Sequence, residues 1–293
     1  MQPCFNGFGL DAEKLGRFFD AHALDRTSYK NQPSGVSRSI AECHMGLLEG
    51  DTALITGASS GIGRGIAKAL AGEGARLVLS DIAEQPGQAL ARELNAKFVA
   101  ADLADPAAPH KLFEAAEKAV GDISILVHSA SPKRYENQTV LAVTEAEWDS
   151  MVTVGLRAGF VLAQAAGAQM KTHRIKGRML FITSPHAQTP RNLPHYSATK
   201  AGQTMLVKEM ARALGADGIR VNAIAPGAVP GGGFDADTAT LSKMIPLGRT
   251  GTPEDIADMA VALLSDRFSR YVTGTTIVVD GGLSLYNWIP VRS

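Results

Sequence analysis

Residues 51–63 read DTALITGASSGIG, and residues 76–81 read RLVLSD. The first stretch holds a β-rich run, Thr52–Thr56, that passes through Gly57, Ala58, Ser59, Ser60, Gly61, Ile62 and Gly63 into a segment of helical character. Strand, glycine turn and helix in that order leave free N–H groups and the positive end of a helix dipole at the turn. Glycines let the backbone turn tightly and approach a pyrophosphate. The spacing is Gly-x3-Gly-x-Gly, and such turns favour glycine on steric grounds alone, so the context carries the argument. The second strand ends on an acid, Asp81, followed by Ile82. A carboxylate there can accept from both adenosine ribose hydroxyls and would repel a 2′-phosphate. No Arg or Lys follows immediately to neutralise one, so the expected cofactor is NAD rather than NADP.

Outward from this unit the chain alternates. Further strand-like runs are 97–101, 123–129, 178–183, 219–224 and 275–280, and helical stretches fall at about 62–73, 86–94, 107–119, 145–170, 195–215 and 253–265. Near-continuous apolar strands separated by helices predict a parallel sheet covered on both faces. Right-handed crossovers then give an α/β, doubly wound Rossmann-type fold. Residues 45–293 read as a single domain. Residues 1–44 mix Gly, Ser, Asn and charges, with a candidate helix at Asp11–His22 and a linker at Tyr29–Ser39. They read either as a real extension or as an artefact of upstream sequence.

The 293 residues carry 29 basic and 29 acidic side chains. That balance argues against a nucleic-acid binder. Hydrophobic residues at 45% and charged residues at 20% are ordinary globular values. No stretch approaches the ~18 to 20 apolar residues of a membrane span, and the N-terminus lacks a secretory pattern. The two cysteines, Cys4 and Cys43, both precede residue 45. A reducing, cytoplasmic setting is therefore expected. The seven histidines show no metal-ligand spacing, so no metal is expected.

Tyr196-Ser-Ala-Thr-Lys200 opens a helical stretch and puts phenol and ammonium on one face. A free phenol, with a pKa near ~10, is a poor proton shuttle at neutral pH. A nearby ammonium would lower that value toward working pH. The alternative is a surface tyrosine packed on a lysine stem. Ser184, at the end of the run 178–183, can hold the reacting oxygen of a carbonyl or alcohol, or can serve as a helix cap.

The combination of Thr56–Gly63, Asp81, Asp102-Leu103, Ser184, Tyr196 with Lys200, Pro226-Gly227 and Asp280-Gly281-Gly282 resembles the short-chain dehydrogenase/reductases in their single-domain form, over about residues 45–293. The resemblance implies a seven-stranded sheet and NAD-linked interconversion of a secondary alcohol and a ketone. Tyr196 would be the general acid/base. Lys200 would lower its pKa and hold the nicotinamide ribose, and Ser184 would orient the substrate oxygen. The cofactor would lie along Gly57, Ser59, Ser60, Gly61, Ile62, Gly63, Asp81, Ile82, Asp102, Leu103, Ser129, Ala130, Pro226, Gly227 and Val229, with Asp102 at the adenine. The resemblance also implies a homo-oligomer, a tetramer or a dimer, packed through 145–170 and 195–215.

Three positions depart from the family pattern. His128-Ser129-Ala130-Ser131 stands where the family has Asn-Asn-Ala-Gly. Gly155 stands where it has an asparagine whose backbone carbonyl holds a relay water. Gly231, within Pro230–Gly233, stands near the expected threonine. Gly155 would either keep the relay carbonyl or serve close helix packing together with Gly159. The substrate pocket should draw on Lys133, Arg134, His186, Asn192, His195, Phe234 and Met244, with His186 beside the substrate. That set suits a polar substrate, anionic or polyhydroxylated, such as a sugar, polyol or hydroxy acid, or a 3-oxoacyl thioester; the alternative is that Lys133 and Arg134 are solvated loop residues. The aromatic tail from Tyr286 would cap the sheet or reach a neighbouring subunit. A nucleotide-binding sensor or scaffold with weak turnover is the alternative to an active enzyme.

Overall fold

The computed structural model describes residues 46–231 and 237–285, which belong to the unit His44–Ser293. The candidate helix at 11–22, the linker at 29–39, both cysteines, Phe234, most of the glycine run after Pro230 and the tail from Tyr286 lie outside the described residues.

Seven strands form one sheet: β1 Thr52–Thr56, β2 Arg76–Asp81, β3 Lys97–Ala100, β4 Ile125–His128, β5 Arg178–Ile182, β6 Arg220–Pro226 and β7 Thr276–Val279. Their order is β3-β2-β1-β4-β5-β6-β7, and every pairing is parallel. The doubly wound expectation is met. Side chains alternate between two cores with the period of the pleat. Ala53 and Ile55 of β1, Ile125 and Val127 of β4, and Leu180 and Ile182 of β5 face one core. Leu54, Leu126, Met179 and Phe181 face the other. Burial on both faces is why these strands read as unbroken apolar runs.

The main helices are α1 Gly61–Gly72, α2 Glu84–Glu93, α3 Ala108–Val120, α4 Glu145–Met151, α5 Ala158–Thr172, α6 Pro194–Leu214, α7 Thr238–Met244, α8 Pro253–Leu264 and α9 Asp266–Ser269. The single helix expected at 145–170 is interrupted: a π-helical turn, Val152–Arg157, joins α4 to α5. Helices α7 and α9 were not foreseen, being only 7 and 4 residues long. Asp237 starts α7 by accepting from the Ala239 and Thr240 N–H groups.

One sequence expectation needs correction. The 28-residue helical span Glu145–Thr172 is apolar and long enough, by length and composition, to cross a membrane. Its character has another source, because α5 buries Val161, Leu162, Ala163, Ala166 and Met170 against the core. A helix apolar on most sides is the ordinary result of such burial.

The chain reverses direction across the sheet between β1 and β4, so the carboxyl ends of these strands open a crevice where ligands bind in such folds. The opposite edge is tied shut. Arg178 donates from both terminal nitrogens to the Asp51 carboxylate, at 2.7 and 3.1 Å, and from Nε to the Leu264 carbonyl.

Candidate active site

The turn after β1 is shaped by its glycines. Gly57 and Gly61 have φ of +64° and +50°, which side-chain-bearing residues rarely adopt. A Cβ on Gly57 would stand 2.8 Å from the Ala130 backbone, so glycine lets the loops after β1 and β4 touch. Ser60 precedes α1 in extended conformation and makes no side-chain cap. The first N–H groups of that helix are thus left for a ligand. Asp81 braces the turn: its carboxylate accepts from the Ser59 N–H at 3.0 Å and the Ala83 N–H at 2.9 Å. Sequence reasoning reserved this carboxylate for a ribose, yet it is also a structural tie.

Tyr196 and Lys200 sit on the first turns of α6, and both are buried, at 8% and 3% exposure. The Lys200 ammonium donates to the Ile182 carbonyl at 2.7 Å and lies 5.6 Å from the Tyr196 ring centroid. Burial, and secondarily the Arg134 charge, lower the Lys200 pKa to about 7. The Arg134 guanidinium lies over the Tyr196 ring at 4.4 Å from its centroid. Ser184 is buried at the end of the β5 segment. Its Oγ accepts from the His186 N–H at 3.3 Å, so it is also the cap of the short 3₁₀ turn Pro185–Ala187.

The departures at 128 and 155 prove to be one device. His128 ends β4 opposite Thr56 of β1, fully buried. Its Nδ1 pairs with Thr56 Oγ1 at 3.0 Å and its Nε2 with the Gly155 carbonyl at 3.0 Å. The carbonyl can only accept, so Nε2 carries the hydrogen and Nδ1 accepts from the threonine. Gln203 Nε2 donates to the same carbonyl at 2.7 Å. The carbonyl that was expected to hold a relay water already accepts two side-chain bonds. Close packing is what the glycines provide: a Cβ on Gly155 would lie 2.7 Å from the Thr199 methyl, and one on Gly159 would lie 2.6 Å from the His128 ring.

One cleft of about 270 Å³ unites much of the candidate set. Gly57, Ser60, Ile62 and Gly63 line one end, Ser184, His186, Tyr196 and Lys200 another, with Ser129, Pro226, Gly227 and Val229 between. Ser59, Gly61, Asp81, Ile82, Asp102, Leu103 and Ala130 do not line it. Ile82 and Asp102 are exposed, whereas Leu103 is buried in a core. Of the pocket residues expected, Lys133 and Arg134 line the cleft, and Asn192, His195 and Met244 do not. The Asn192 carboxamide accepts from the Val140 N–H at 3.1 Å. His195 is fully buried and Met244 is exposed. Thr189, Arg191 and Leu241 line the cleft from segments that sequence reading assigned to the pocket without naming them, whereas Leu283 and Ser284 were missed. Thr189 and Arg191 come from the loop before α6, Leu241 from the short helix α7 and Leu283 and Ser284 from a 3₁₀ turn after β7, segments too short for periodicity to give a signal. No cluster of metal-ligating side chains occurs among the described residues.

A doubly wound sheet with an open glycine turn and a buried Tyr-Lys pair in one cleft defines a nucleotide-binding oxidoreductase. The family model described as Enoyl-(Acyl carrier protein) reductase matches residues 57–284. L-rhamnose 1-dehydrogenase (NAD(P)(+)) of Azotobacter vinelandii is 36% identical over 253 residues, covering 81% of this chain and 98% of that protein. The 3-oxoacyl-acyl-carrier-protein reductase of Escherichia coli is 33% identical over 242 residues, covering 80% and 98%. The crystal structure of 3-ketoacyl-(acyl-carrier-protein) reductase from Brucella melitensis complexed with NADH superposes with a TM-score of 0.77 at 33% identity, covering 81% of this chain and 99% of that one. The chain belongs to the short-chain dehydrogenase/reductase family and is an oxidoreductase.

Proposed function

We propose that this enzyme interconverts a secondary alcohol and a ketone with NAD, acting on a polar substrate such as a sugar, polyol or hydroxy acid, or on a 3-oxoacyl thioester. The observation that carries this reading is the meeting of Tyr196, Lys200 and Ser184 with the open glycine turn in one cleft. When bound, the nicotinamide supplies the hydride acceptor or donor. Residues 57–63 and the N-terminus of α1 would hold its pyrophosphate, with Ser129, Ala130, Pro226, Gly227 and Val229 along the nicotinamide half. Asp81, Ile82, Asp102 and Leu103 would border the adenosine. Tyr196 gives its proton to a carbonyl oxygen or takes one from the alcohol. Lys200 and Arg134 place positive charge beside that phenol and favour the phenolate. Ser184 donates to the substrate oxygen and fixes its direction, while His186 borders the substrate.

The NAD preference rests on Asp81. A 2′-phosphate near this carboxylate would meet like charge, and the next cation in sequence, Arg92, is a helix away. NADH should raise the melting temperature at concentrations at least about tenfold below those needed for NADPH. Asp81→Asn, which removes the charge and keeps an acceptor for one of the Ser59 and Ala83 N–H groups, should narrow that gap. Equal shifts from the two cofactors in the unaltered enzyme would refute the preference.

The same reading holds the enzyme to be a cytoplasmic homo-oligomer, a tetramer or a dimer, with residues 1–44 an extension outside a catalytic domain of 45–293. Support for assembly comes from Trp148, Phe160 and Met205, which leave 39%, 41% and 55% of their surfaces exposed on α4, α5 and α6. Apolar surface on neighbouring helices favours association. Light scattering should give a multiple of the chain mass, and Phe160→Glu with Met205→Glu should reduce it. A monomer in the unaltered enzyme would refute assembly.

A further inference from the structure

The helix that carries the Tyr-Lys pair is anchored below that pair as well as through it. Helix α6 follows Leu193 without a side-chain cap, so the placement of its first turns rests on what its buried face binds. Tyr196, Lys200 and Gln203 stand at i, i+4 and i+7, share that face and are all buried. Lys200 ties it to β5 through the Ile182 carbonyl. Gln203, about one turn further on, ties it to the π-helical turn: its Nε2 donates to the Gly155 carbonyl at 2.7 Å.

Stability does not call for this bond. The Gly155 carbonyl already accepts from His128 Nε2 at 3.0 Å. Gln203 is fully buried, and its Oε1 meets no partner among the described residues. A buried amide satisfied on one side only costs more than an apolar side chain of the same length, so packing does not account for a glutamine here. What the bond does is join two regions. From Gly155 the line runs through His128 to Thr56 Oγ1, which also accepts from the Ala130 N–H at 3.4 Å. Ala130 is the residue against which Gly57 of the glycine turn packs. Resting on the dehydrogenase reading above, we propose that Gln203 is a positioning residue: through the Gly155 carbonyl, His128 and Thr56 it holds the Tyr196–Lys200 face of α6 in register with the glycine turn, and so sets the phenol against the cofactor held there.

The test is Gln203→Met in the full-length enzyme, which keeps the length of the side chain and removes the donor. Urea unfolding should find the variant at least as stable as the unaltered enzyme, because an unpaired amide is relieved, and NADH affinity should be nearly unchanged. On ketones that the unaltered enzyme reduces with NADH, kcat should nevertheless fall about tenfold or more, as a small misplacement of a proton carrier does. A signature free of turnover is the fluorine resonance of 3-fluorotyrosine at position 196, assigned by its loss in Tyr196→Phe. Its displacement on addition of NAD⁺ should differ between Gln203→Met and the unaltered enzyme. Thr56→Val, at the far end of the line, should alter both readouts in the same direction, and the double variant should lose little more kcat than the worse single one. A clearly less stable Gln203→Met enzyme would make the glutamine structural and overturn the inference. So would unchanged kcat and fluorine displacement in either variant, or losses that multiply in the double variant; all of these leave the dehydrogenase reading standing. An unaltered enzyme that reduces no ketone and shows no response to NAD⁺ or NADH would overturn both.

Discussion

Tyr196→Phe should lower kcat by about 10³-fold, the typical weight of a positioned general acid or base, with NADH affinity nearly unchanged. The phenyl ring keeps the packing against Met151 and Leu193 and the stacking of Arg134. Only the hydroxyl is lost, so binding and fold have little reason to change while the proton has no carrier. Lys200→Met should differ in kind. Its ammonium is tied to the Ile182 carbonyl, and the resemblance assigns it a cofactor contact, so both kcat and NADH binding should fall. Nicotinamide absorbance reports turnover, and cofactor fluorescence reports binding. A Tyr196→Phe enzyme that keeps more than about a tenth of its kcat would remove the phenol from the mechanism. An unaltered enzyme that binds NADH but turns over none of a broad panel of alcohols and ketones would point to a sensor or scaffold.

Much of this site is legible before folding, and the reason is local. A glycine turn between strand and helix, an acid ending the next strand and a Tyr-x3-Lys pair on one helix face each reside within one or two neighbouring elements. The strands are legible because both of their faces are buried. What escapes is long-range. His128 is a single polar residue at the end of an apolar strand, and its partner carbonyl at 155 is 27 residues away. The π-helical turn at Val152–Arg157 has no hydrophobic period to announce it; the Gly155 carbonyl was singled out as a relay acceptor, and only the fold shows His128 and Gln203 bound to it. Arg134 belongs to a loop where solvated cations are usual, and only its place over the Tyr196 ring separates it from them. Ser184 shows the converse. It is both cleft-lining and a cap, so two sequence readings that compete on paper hold together in the fold.

The buried imidazole gives the fold a measurable acid sensitivity. Burial, reinforced by the Lys200 charge, pushes the His128 pKa from 6.5 down to about 4. Between those values the unfolded chain binds a proton that the folded chain refuses, so stability falls as pH falls through the window and levels off below it. At about 1.36 kcal/mol per unit the loss approaches about 3 kcal/mol. His128→Asn, the residue type the family carries there, isolates this contribution, because every other titration is common to both proteins. At pH 7 the variant should be the less stable, by about 1 to 3 kcal/mol, through lost packing on Phe181 and lost bonds to Thr56 and Gly155. As pH falls the difference should shrink and near pH 4 should vanish or reverse. Urea unfolding of both proteins across this range measures it. A difference that stays constant would mean that His128 is protonated in the folded state, with an acceptor at Nδ1, and the neutral Thr56–His128–Gly155 chain would have to be redrawn.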